Sequence, residues 1–360
     1  MTTPCTVTGA AARRPTRVRT ERTETMQIGM VGVGRMGGDM VRRLLRAGHH
    51  CVVYDREPTA TVALEREGAV AATSPADLIA RLEPPRTVWV MVPAAVTGDV
   101  VEQLAASMDF DDTLVDGGNS HHRDDAARAS RLAERGIHYL DVGTSGGVHG
   151  LDRGYCLMIG GDTFAVERLE PVFQALAPGV DTAPRTAGRN GTASPAEQGY
   201  LHCGSAGAGH FVKMVHNGIE YGQMAALAEG LSILHHAAVG ARLRDGDAGT
   251  APLADSAGYR YEFDIAEITE VWRRGSVLTS WLLDLLAGVL HADPTLSDYT
   301  GKVGDSGEGR WVVQTAVDEG VPASVITVAL YERFSSQRGD HYSHRALSAL
   351  RRAFGGHGEK

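Results

Sequence analysis

Short apolar runs alternate with polar, helix-compatible stretches along the first half of the chain, from Met26 onward. These runs have the length and the β-branched content of buried strands. Strands that alternate with helices predict a parallel sheet covered by helices on both faces. The predicted strands span residues 27–32, 50–55, 87–93, 113–116 and 138–142.

The pattern changes near residues 204–208, where strand-like runs nearly vanish and long helical periodicities begin. Residues 245–258 are small and polar, so we expect a loop within this second half. The predicted helical segments span residues 209–236, 264–291, 307–319 and 324–337.

Three glycines follow the first predicted strand in the spacing Gly32-x-Gly34-x-x-Gly37 and open a predicted helix. The first permits a tight turn, the second lets the backbone approach a pyrophosphate, and the third lets helix and strand pack closely. The N-terminus of the helix then offers free N–H groups to the phosphates. We therefore predict an α/β Rossmann-like doubly wound sheet, followed by an all-helical C-terminal domain.

Three regions follow from these patterns. Residues 26–205 are predicted to form the dinucleotide-binding domain. Residues 206–360 are predicted to form a helical domain for substrate binding and dimerisation, ending in a C-terminal tail. Residues 1–25 are rich in Arg and Thr and have no apolar periodicity, so we expect a disordered extension there.

The choice of cofactor is indicated by the end of the second predicted strand. Asp55 can accept hydrogen bonds from ribose hydroxyls and would repel a 2′-phosphate, which favours NAD. The guanidinium of Arg56 could instead hold that phosphate, so NADP remains possible. The predicted cofactor contacts are Gly32, Val33, Gly34, Arg35, Met36, Gly37, Asp55, Arg56, Val92, Pro93, Ala94 and Asn119.

Composition narrows the class of protein further. A formal net charge of -9 argues against a nucleic-acid partner, and an anionic substrate would need a local cluster of cations. Apolar runs are broken by charges or glycines before they could span a bilayer, so no membrane association is expected. Four widely spaced cysteines fit a cytoplasmic protein with idle thiols, and we expect no metal.

Polar, chemically capable side chains line one face of the predicted helix that follows residue 207. Lys213, His216, Asn217, Glu220 and Tyr221 stand at positions i, i+3, i+4, i+7 and i+8. Each taken singly is commonly a solvated or packing residue. Together on one face they indicate an active site, because core packing does not select such a set.

This stretch, Gly-Ala-Gly-His-Phe-Val-Lys-Met-Val-His-Asn-Gly-Ile-Glu-Tyr at 207–221, resembles the catalytic helix of the 6-phosphogluconate dehydrogenases. The segments 116–120 and 143–147 resemble the two substrate loops of that family. The resemblance extends over residues 27–357, and the chain resembles the compact, bacterial-type branch. It implies oxidative decarboxylation of 6-phosphogluconate to ribulose 5-phosphate and CO2, with reduction of NAD or NADP, in the pentose phosphate pathway and gluconate utilisation.

The resemblance also implies residue roles. Lys213 would be the general base on the C3 hydroxyl, with a pKa lowered by burial and nearby cations, and Glu220 would protonate C1. Asn217 would complete the catalytic set. The implied substrate contacts are Asn119, Ser145, Gly146, Gly147, His216, Tyr221, Arg333, Arg351 and His357.

Two further implications concern the end of the chain. The tail with Arg351 and His357 resembles the closing motif of the family, which reaches the phosphate in the neighbouring subunit, so a homodimer or homotetramer is expected. Long-form members carry a Lys and a Thr for the phosphate where Ser306 and Glu308 stand here. A glutamate would repel a phosphate, so the sequence leaves the replacement ligands open.

Two rival functions remain open from the sequence. Another β-hydroxyacid dehydrogenase, acting on an unphosphorylated acid, would not need Arg333, Arg351 or His357. A non-catalytic NAD-binding sensor would not need an acid and a base on one helical face.

Overall fold

The computed structural model describes residues 24–241, 253, 256–337 and 342–355. The predicted extension of residues 1–25 lies outside the described residues except for its last two. The predicted loop of residues 245–258 also lies largely outside them.

One eight-stranded sheet forms the first half of the molecule, in the strand order β3-β2-β1-β4-β5-β6-β7-β8. Neighbouring strands run parallel except for β6 and β7, which pair antiparallel. The last two strands therefore run opposite to the first six. The strands are β1 Gln27–Val31, β2 His50–Tyr54, β3 Val70–Ala71, β4 Thr87–Val90, β5 Thr113–Asp116, β6 His138–Ser145, β7 Cys156–Gly161 and β8 Tyr200–Gly204.

The predicted Rossmann-like fold is confirmed, and the five predicted strands are present as β1, β2, β4, β5 and β6. The sequence did not reveal the other three strands. β3 has two residues, and β7 and β8 end in glycines that weaken a strand pattern. The sheet is parallel as predicted except at β7, which returns beside β6 as the second arm of a hairpin-like connection.

Helices cover both faces of the sheet and form the second half of the described chain. They are α1 Arg35–Arg46, α2 Val62–Arg66, α3 Pro75–Ala80, α4 Ala94–Ala105, α5 His122–Ala133, α6 Gly150–Arg153, α7 Thr163–Arg168, α8 Glu170–Leu176, α9 Pro195–Gln198, α10 Ala208–His235, α11 Ile265–Gly275, α12 Trp281–Ala292, α13 Glu308–Glu319, α14 Ser324–Gln337 and α15 Tyr342–Gly355. In the described part of the chain, no helix is both long and apolar enough to cross a membrane.

Two apolar cores sandwich the sheet. Met40 and Leu44 of α1 pack with Phe173 of α8 against one face. Leu78 of α3 and Leu104 of α4 belong to the core on the other face. This two-sided burial explains why the central strands are continuous apolar runs.

The segment predicted as one helix over residues 264–291 is two helices, α11 and α12. α11 ends at Gly275, and the Ser280 side chain accepts a hydrogen bond from the Leu283 N–H at the start of α12. A serine that caps a new helix explains the break, because its hydroxyl satisfies an N–H that the helix leaves free. The break brings Trp281 to the front of α12.

The long helix α10 starts on the sheet itself. A Cβ added to Gly209 would lie 2.4 Å from the Met158 carbonyl oxygen and 2.7 Å from the Gly160 nitrogen. Only a glycine lets the first turn of α10 lie this close to β6 and β7. The predicted boundary at residues 205 and 206 falls in the short link before this helix, and the division into domains stays a prediction.

Candidate active site

The glycine turn between β1 and α1 is shaped to hold an anion. Gly32 has a φ of +87°, and a Cβ on Gly37 would lie 2.0 Å from the Gly32 carbonyl oxygen. No side chain caps the N-terminus of α1, so its first N–H groups face the cleft unshielded. A Cβ on Gly34 would meet nothing within 4 Å, which leaves room for a pyrophosphate against the backbone.

Asp55 braces this turn from the end of β2. Its Oδ2 accepts a hydrogen bond from the Val33 N–H at 2.9 Å, and its Oδ1 accepts one from the Glu57 N–H at 2.9 Å. The carboxylate is thus fixed beside the turn, where a cofactor ribose would lie in a Rossmann fold. Arg56 is exposed next to it.

A cleft of about 680 Å³ runs from the glycine turn to α10. It lies at the carboxyl ends of the parallel strands, where open α/β sheets bind their ligands. Lys213 and Glu220 face this cleft from α10, and Trp281 faces it from α12. The other lining residues are Gly34, Arg35, Met36, Gly37, Met91, Val92, Pro93, Ala94, Gly117, Gly118, Asn119, Thr144, Ser145, Gly146, Gly147, Val148, His149, Leu282 and Leu285.

The polar face of α10 is connected by hydrogen bonds within the helix. Lys213 Nζ donates to Asn217 Oδ1 at 2.6 Å, and His216 Nδ1 lies 3.5 Å from the same oxygen. His216 Nδ1 also lies 3.8 Å from a carboxylate oxygen of Glu220. Asn217 therefore holds the lysine in place, while the histidine bridges toward the glutamate.

Burial lowers the pKa of Lys213, against the carboxylates of Glu220 and Glu308, which raise it. The direction agrees with the sequence-based expectation for a general base, because a neutral amine is needed to accept a proton. Burial also lowers the pKa of His216, and the charge of Lys213 acts in the same direction.

Tyr221 and Arg333 meet at the far end of this face. The Arg333 guanidinium carbon lies 3.4 Å from the Tyr221 ring centroid, and Nη1 donates to the Gly304 carbonyl at 2.7 Å. Tyr221 stands eight residues after Lys213, about 12 Å further along the helix axis. The arrangement places a cation at one end of the face and the candidate base at the other.

Glu308, the first residue of α13, is buried between these two ends. It accepts a hydrogen bond from the Asn119 side-chain nitrogen, and its second oxygen accepts one from the Ser306 hydroxyl at 2.7 Å. This glutamate thus joins the loop after β5 to the helical half of the chain.

A buried network of charges supports the start of α10. His210 Nδ1 lies 2.7 Å from Asp125 Oδ2, and the His210 and Gly207 N–H groups donate to Asp141 at 2.8 and 2.6 Å. The hydrogen bond to Asp125 and the nearby carboxylates raise the pKa of His210 to about 9, although burial opposes this. The imidazolium therefore anchors α10 to α5.

Asp116, Asp125 and His210 are a group of potential metal ligands in the described chain, with ligand atoms within 4.8 Å of one another. Arg128 Nη1, however, lies 3.4 Å from Asp116 and 3.5 Å from Asp125. The guanidinium and the imidazole already supply the positive charge that a metal would bring.

The structure gathers most of the sequence-predicted site residues around one cleft. The Val33 N–H is used by Asp55. The predicted site residues that do not line the cleft itself are Gly32, Val33, Asp55, Arg56, His216, Asn217, Tyr221 and Arg333. The side chain of Arg351 and all of His357 lie outside the described residues. The individual contacts to cofactor and substrate remain predictions.

Sequence analysis missed three kinds of residue at this site. Trp281, Leu282 and Leu285 are apolar cleft residues on α12 with no chemical signature. His149 lies 5.6 Å from the Trp281 ring, ring centre to ring centre. The buried partners Asp125 and His210 could have been suspected only from two acids in the sheet, Asp116 at the end of β5 and Asp141 within β6, which pair across the sheet.

A Rossmann-like sheet with an open glycine turn, facing a lysine-bearing helix across one cleft, defines a dinucleotide-binding oxidoreductase. Residues 27–183 match the NAD-binding domain of 6-phosphogluconate dehydrogenase, and residues 209–242 match the C-terminal domain of that enzyme. The chain belongs to the 6-phosphogluconate dehydrogenase family. The resemblance inferred from residues 207–221 is thereby confirmed.

Relatives of similar length support this assignment. The chain is 36% identical over 332 residues to the putative 6-phosphogluconate dehydrogenase YqeC of Bacillus subtilis, covering 92% of this chain and 98% of that protein. It is 37% identical over 334 residues to the NAD(+)-dependent, decarboxylating 6-phosphogluconate dehydrogenase of Haloferax volcanii, with 92% and 98% covered. The compact length is therefore shared with these relatives.

A solved structure shows the same fold. The Plasmodium falciparum 6-phosphogluconate dehydrogenase superposes with a TM-score of 0.69 at 22% identity, covering 91% of this chain and 65% of that one. The likeness is one of fold, and it agrees with a Rossmann-like sheet followed by helices.

Proposed function

We propose that the protein oxidatively decarboxylates 6-phosphogluconate to ribulose 5-phosphate and CO2, with NAD as the preferred hydride acceptor. The observation that carries this is one cleft with the glycine turn on one wall and Lys213 and Glu220 on the other, with Asn217 hydrogen-bonded to Lys213. The name of the Haloferax volcanii relative, which states this activity and NAD dependence, supports the same assignment.

Lys213 is the group that starts the reaction. Burial lowers its pKa, which increases the share of neutral amine that can take the proton of the substrate C3 hydroxyl. The glycine turn would hold the dinucleotide by its pyrophosphate, and the nicotinamide, when bound in the cleft, would supply the acceptor for the C3 hydride. Asn217 holds the amine at 2.6 Å and so fixes the direction from which it acts.

The second half of the reaction uses the acid of the same face. With C3 now a ketone, the bond between C1 and C2 breaks, CO2 departs, and the electron pair forms an enediol. The protonated Lys213 stabilises the charge on the C3 oxygen. Glu220, which lines the same cleft, then delivers a proton to the carbon that lost CO2, which becomes C1 of the product.

The phosphate would lie near Tyr221 and Arg333. Tyr221 stands about two turns of α10 beyond Lys213 and Arg333 lies over its ring, so the phosphate end of the substrate would point away from the base. Ser145, Gly146 and Gly147 would hold the carboxylate end through the serine hydroxyl and backbone N–H groups, and Asn119 would bind beside them. We further propose that Arg351 and His357 of the neighbouring subunit contact the same phosphate.

An oligomer fits the surface of the helical half. Large apolar side chains are exposed on successive helices there, and Val277, between α11 and α12, is 100% exposed. Such surfaces usually mark association sites. We propose a homodimer or homotetramer in which the tail enters the partner's site. Other exposed apolar residues of this half are Ile233, Val271, Val317, Val325 and Tyr331.

Nicotinamide reduction with 6-phosphogluconate, and with either NAD or NADP, tests the proposal. We expect turnover with NAD and CO2 release in equal amounts. Gluconate, which lacks the phosphate, should be used far less efficiently. Arg333→Ala should remove this difference while leaving NAD binding intact. Equal use of both acids by the wild type would instead indicate a β-hydroxyacid dehydrogenase for unphosphorylated acids, and NAD binding without turnover would indicate a sensor.

Turnover by mixtures of inactive variants tests the shared site. A Lys213→Ala chain supplies an intact tail, and a chain ending at residue 350 supplies an intact Lys213. Activity that appears only after the two are mixed and reassembled supports the tail proposal. Full activity of the shortened chain alone would refute it.

A further inference from the structure

Glu308 is a buried carboxylate next to a site that is proposed to bind a substrate with two anionic groups, a carboxylate and a phosphate. Only 4% of its surface is exposed, and it does not line the cleft. A glutamate in the first turn of a helix is ordinarily explained by the helix dipole alone. That explanation does not account for its burial or for its contact with Asn119, a cleft residue from the other half of the chain.

Both oxygens of Glu308 are engaged. Oε1 accepts a hydrogen bond from Asn119 Nδ2, and Oε2 accepts one from the Ser306 hydroxyl at 2.7 Å. A carboxylate can only accept hydrogen bonds, whereas the two ends of an asparagine amide are a donor and an acceptor. Glu308 therefore allows one of the two amide orientations of Asn119 and opposes the other.

We propose that Glu308 is a positioning residue that fixes the Asn119 amide, so that its carbonyl oxygen faces the cleft as a hydrogen-bond acceptor. The acceptor would receive a hydroxyl of the substrate or of the nicotinamide ribose, and the inference rests on the proposed function. Glu308 thereby links the start of α13 to the loop after β5. Asn119, in that loop, is the residue of the pair that would contact the bound molecule.

The field of Glu308 gives a second, independent effect on the site. The carboxylate raises the pKa of Lys213, against the lowering by burial. Removal of this charge should lower the pKa of the base further. A purely structural role for Glu308 would leave the pH dependence of the reaction unchanged.

A double-substitution cycle tests the orientation. Glu308→Gln leaves an amide that can face Asn119 in either orientation, so we expect kcat/KM to fall about tenfold. Asn119→Asp places two carboxylates together and should lower kcat/KM about a hundredfold or more. In the double variant, the new amide at position 308 can donate to the new carboxylate at position 119, whose other oxygen then faces the cleft. We therefore expect a recovery of about tenfold or more over Asn119→Asp alone.

The outcomes distinguish the positioning role of Glu308 from the proposed function. Independent, multiplying losses in the double variant, in both kcat/KM and NAD affinity, would overturn the positioning role. The wild-type rate with 6-phosphogluconate tests the proposed function alone, whereas the same cycle read by NAD titration tests the positioning of Asn119 even without turnover. Coupling between the two positions in either readout supports the inference, and its absence from both overturns it.

The pH profile supplies the matched control. Glu308→Gln should move the rise of kcat/KM with pH to lower pH, while Glu319→Gln, an exposed change at the other end of α13, should not move it. If Glu308→Gln does not fold, Ser306→Ala removes the contact to Oε2, together with the interaction of Ser306 with Tyr221, and a loss of a few-fold in kcat/KM is expected. Unchanged kinetics in Ser306→Ala together with an unmoved profile in a folded Glu308→Gln would contradict the proposal.

Discussion

Gly143 of β6 lies directly against Lys213 of α10, so that a Cβ on the glycine would be 2.3 Å from the lysine Cβ. The sheet and the helix therefore touch at the residue that carries the proposed base. This contact sets the distance between Lys213 and the cofactor wall of the cleft, because neither backbone can move inward. Because Gly143 of β6 has no side chain, α10 can lie close enough to the sheet to hold Lys213 at this position.

We expect Gly143→Ala to destabilise the protein by about 1–3 kcal/mol and to lower activity, since the added methyl must push α10 off the sheet. Urea unfolding and steady-state rates would show both effects. Gly230→Ala on the same helix is the control, because its Cβ would meet nothing within 4 Å. That change should stabilise the protein by about 0.5–1 kcal/mol and leave the rates unaltered.

Lys213→Ala should lower kcat by about 10²- to 10⁴-fold, the usual contribution of a general base, with NAD binding retained. In the wild type, burial should place the rise of kcat/KM with pH below the ordinary lysine value of 10.5. Rapid-mixing and pH-rate measurements check both points. Lys302→Ala, an exposed lysine, is the control and should behave as the wild type. A Lys213→Ala protein with full activity would refute the assignment.

His210 should make stability depend on pH. Its folded pKa is raised from the ordinary 6.5 to about 9, so the folded protein holds this proton more tightly than the unfolded chain. The contribution is complete below about pH 6.5 and is lost as the pH rises through about 9. Free energies of unfolding from urea titrations should fall across this window.

The variant His210→Gln should lack this fall, since glutamine can still donate to Asp125 but does not titrate. His236→Gln, a change at the exposed end of α10, should keep it. A slope that is equal in wild type and His210→Gln would show that other groups control the pH dependence. Asp116, Asp141 and Arg128 face the same network and would be examined next.

Asp55 should control the choice of cofactor. Asp55→Asn removes the charge that would repel a 2′-phosphate, and we expect the ratio of kcat/KM for NADP to that for NAD to rise about tenfold. Glu57→Gln, an exposed change two residues on, should leave the ratio nearly constant. A wild type that prefers NADP would instead assign the decisive contact to Arg56, which Arg56→Ala would test.

The sequence predicted the sheet well where strands are buried on both faces. β1, β2, β4 and β5 are mostly apolar runs next to helical stretches. Short runs of this kind are typical of strands that are buried on both faces of a parallel sheet. β7 and β8 escaped notice because both end in glycines, which weaken the local strand pattern. The reversal at β7 depends on which edge of the sheet is free, and that is not a local property.

The sequence alone determined the reactive face of α10 and the glycine turn, because helical spacing and turn chemistry act within a few residues. Only the tertiary structure decided that these two features share one cleft, and that Gly143 sets the depth of Lys213. It also converted Glu308 from an apparent obstacle to phosphate binding into a buried partner of Asn119. The physical reason is the separation along the chain over which each interaction acts. Hydrogen bonds within a helix join near neighbours. Burial, desolvation and the contact between Asn119 and Glu308, which are 189 residues apart, exist only after the chain has packed.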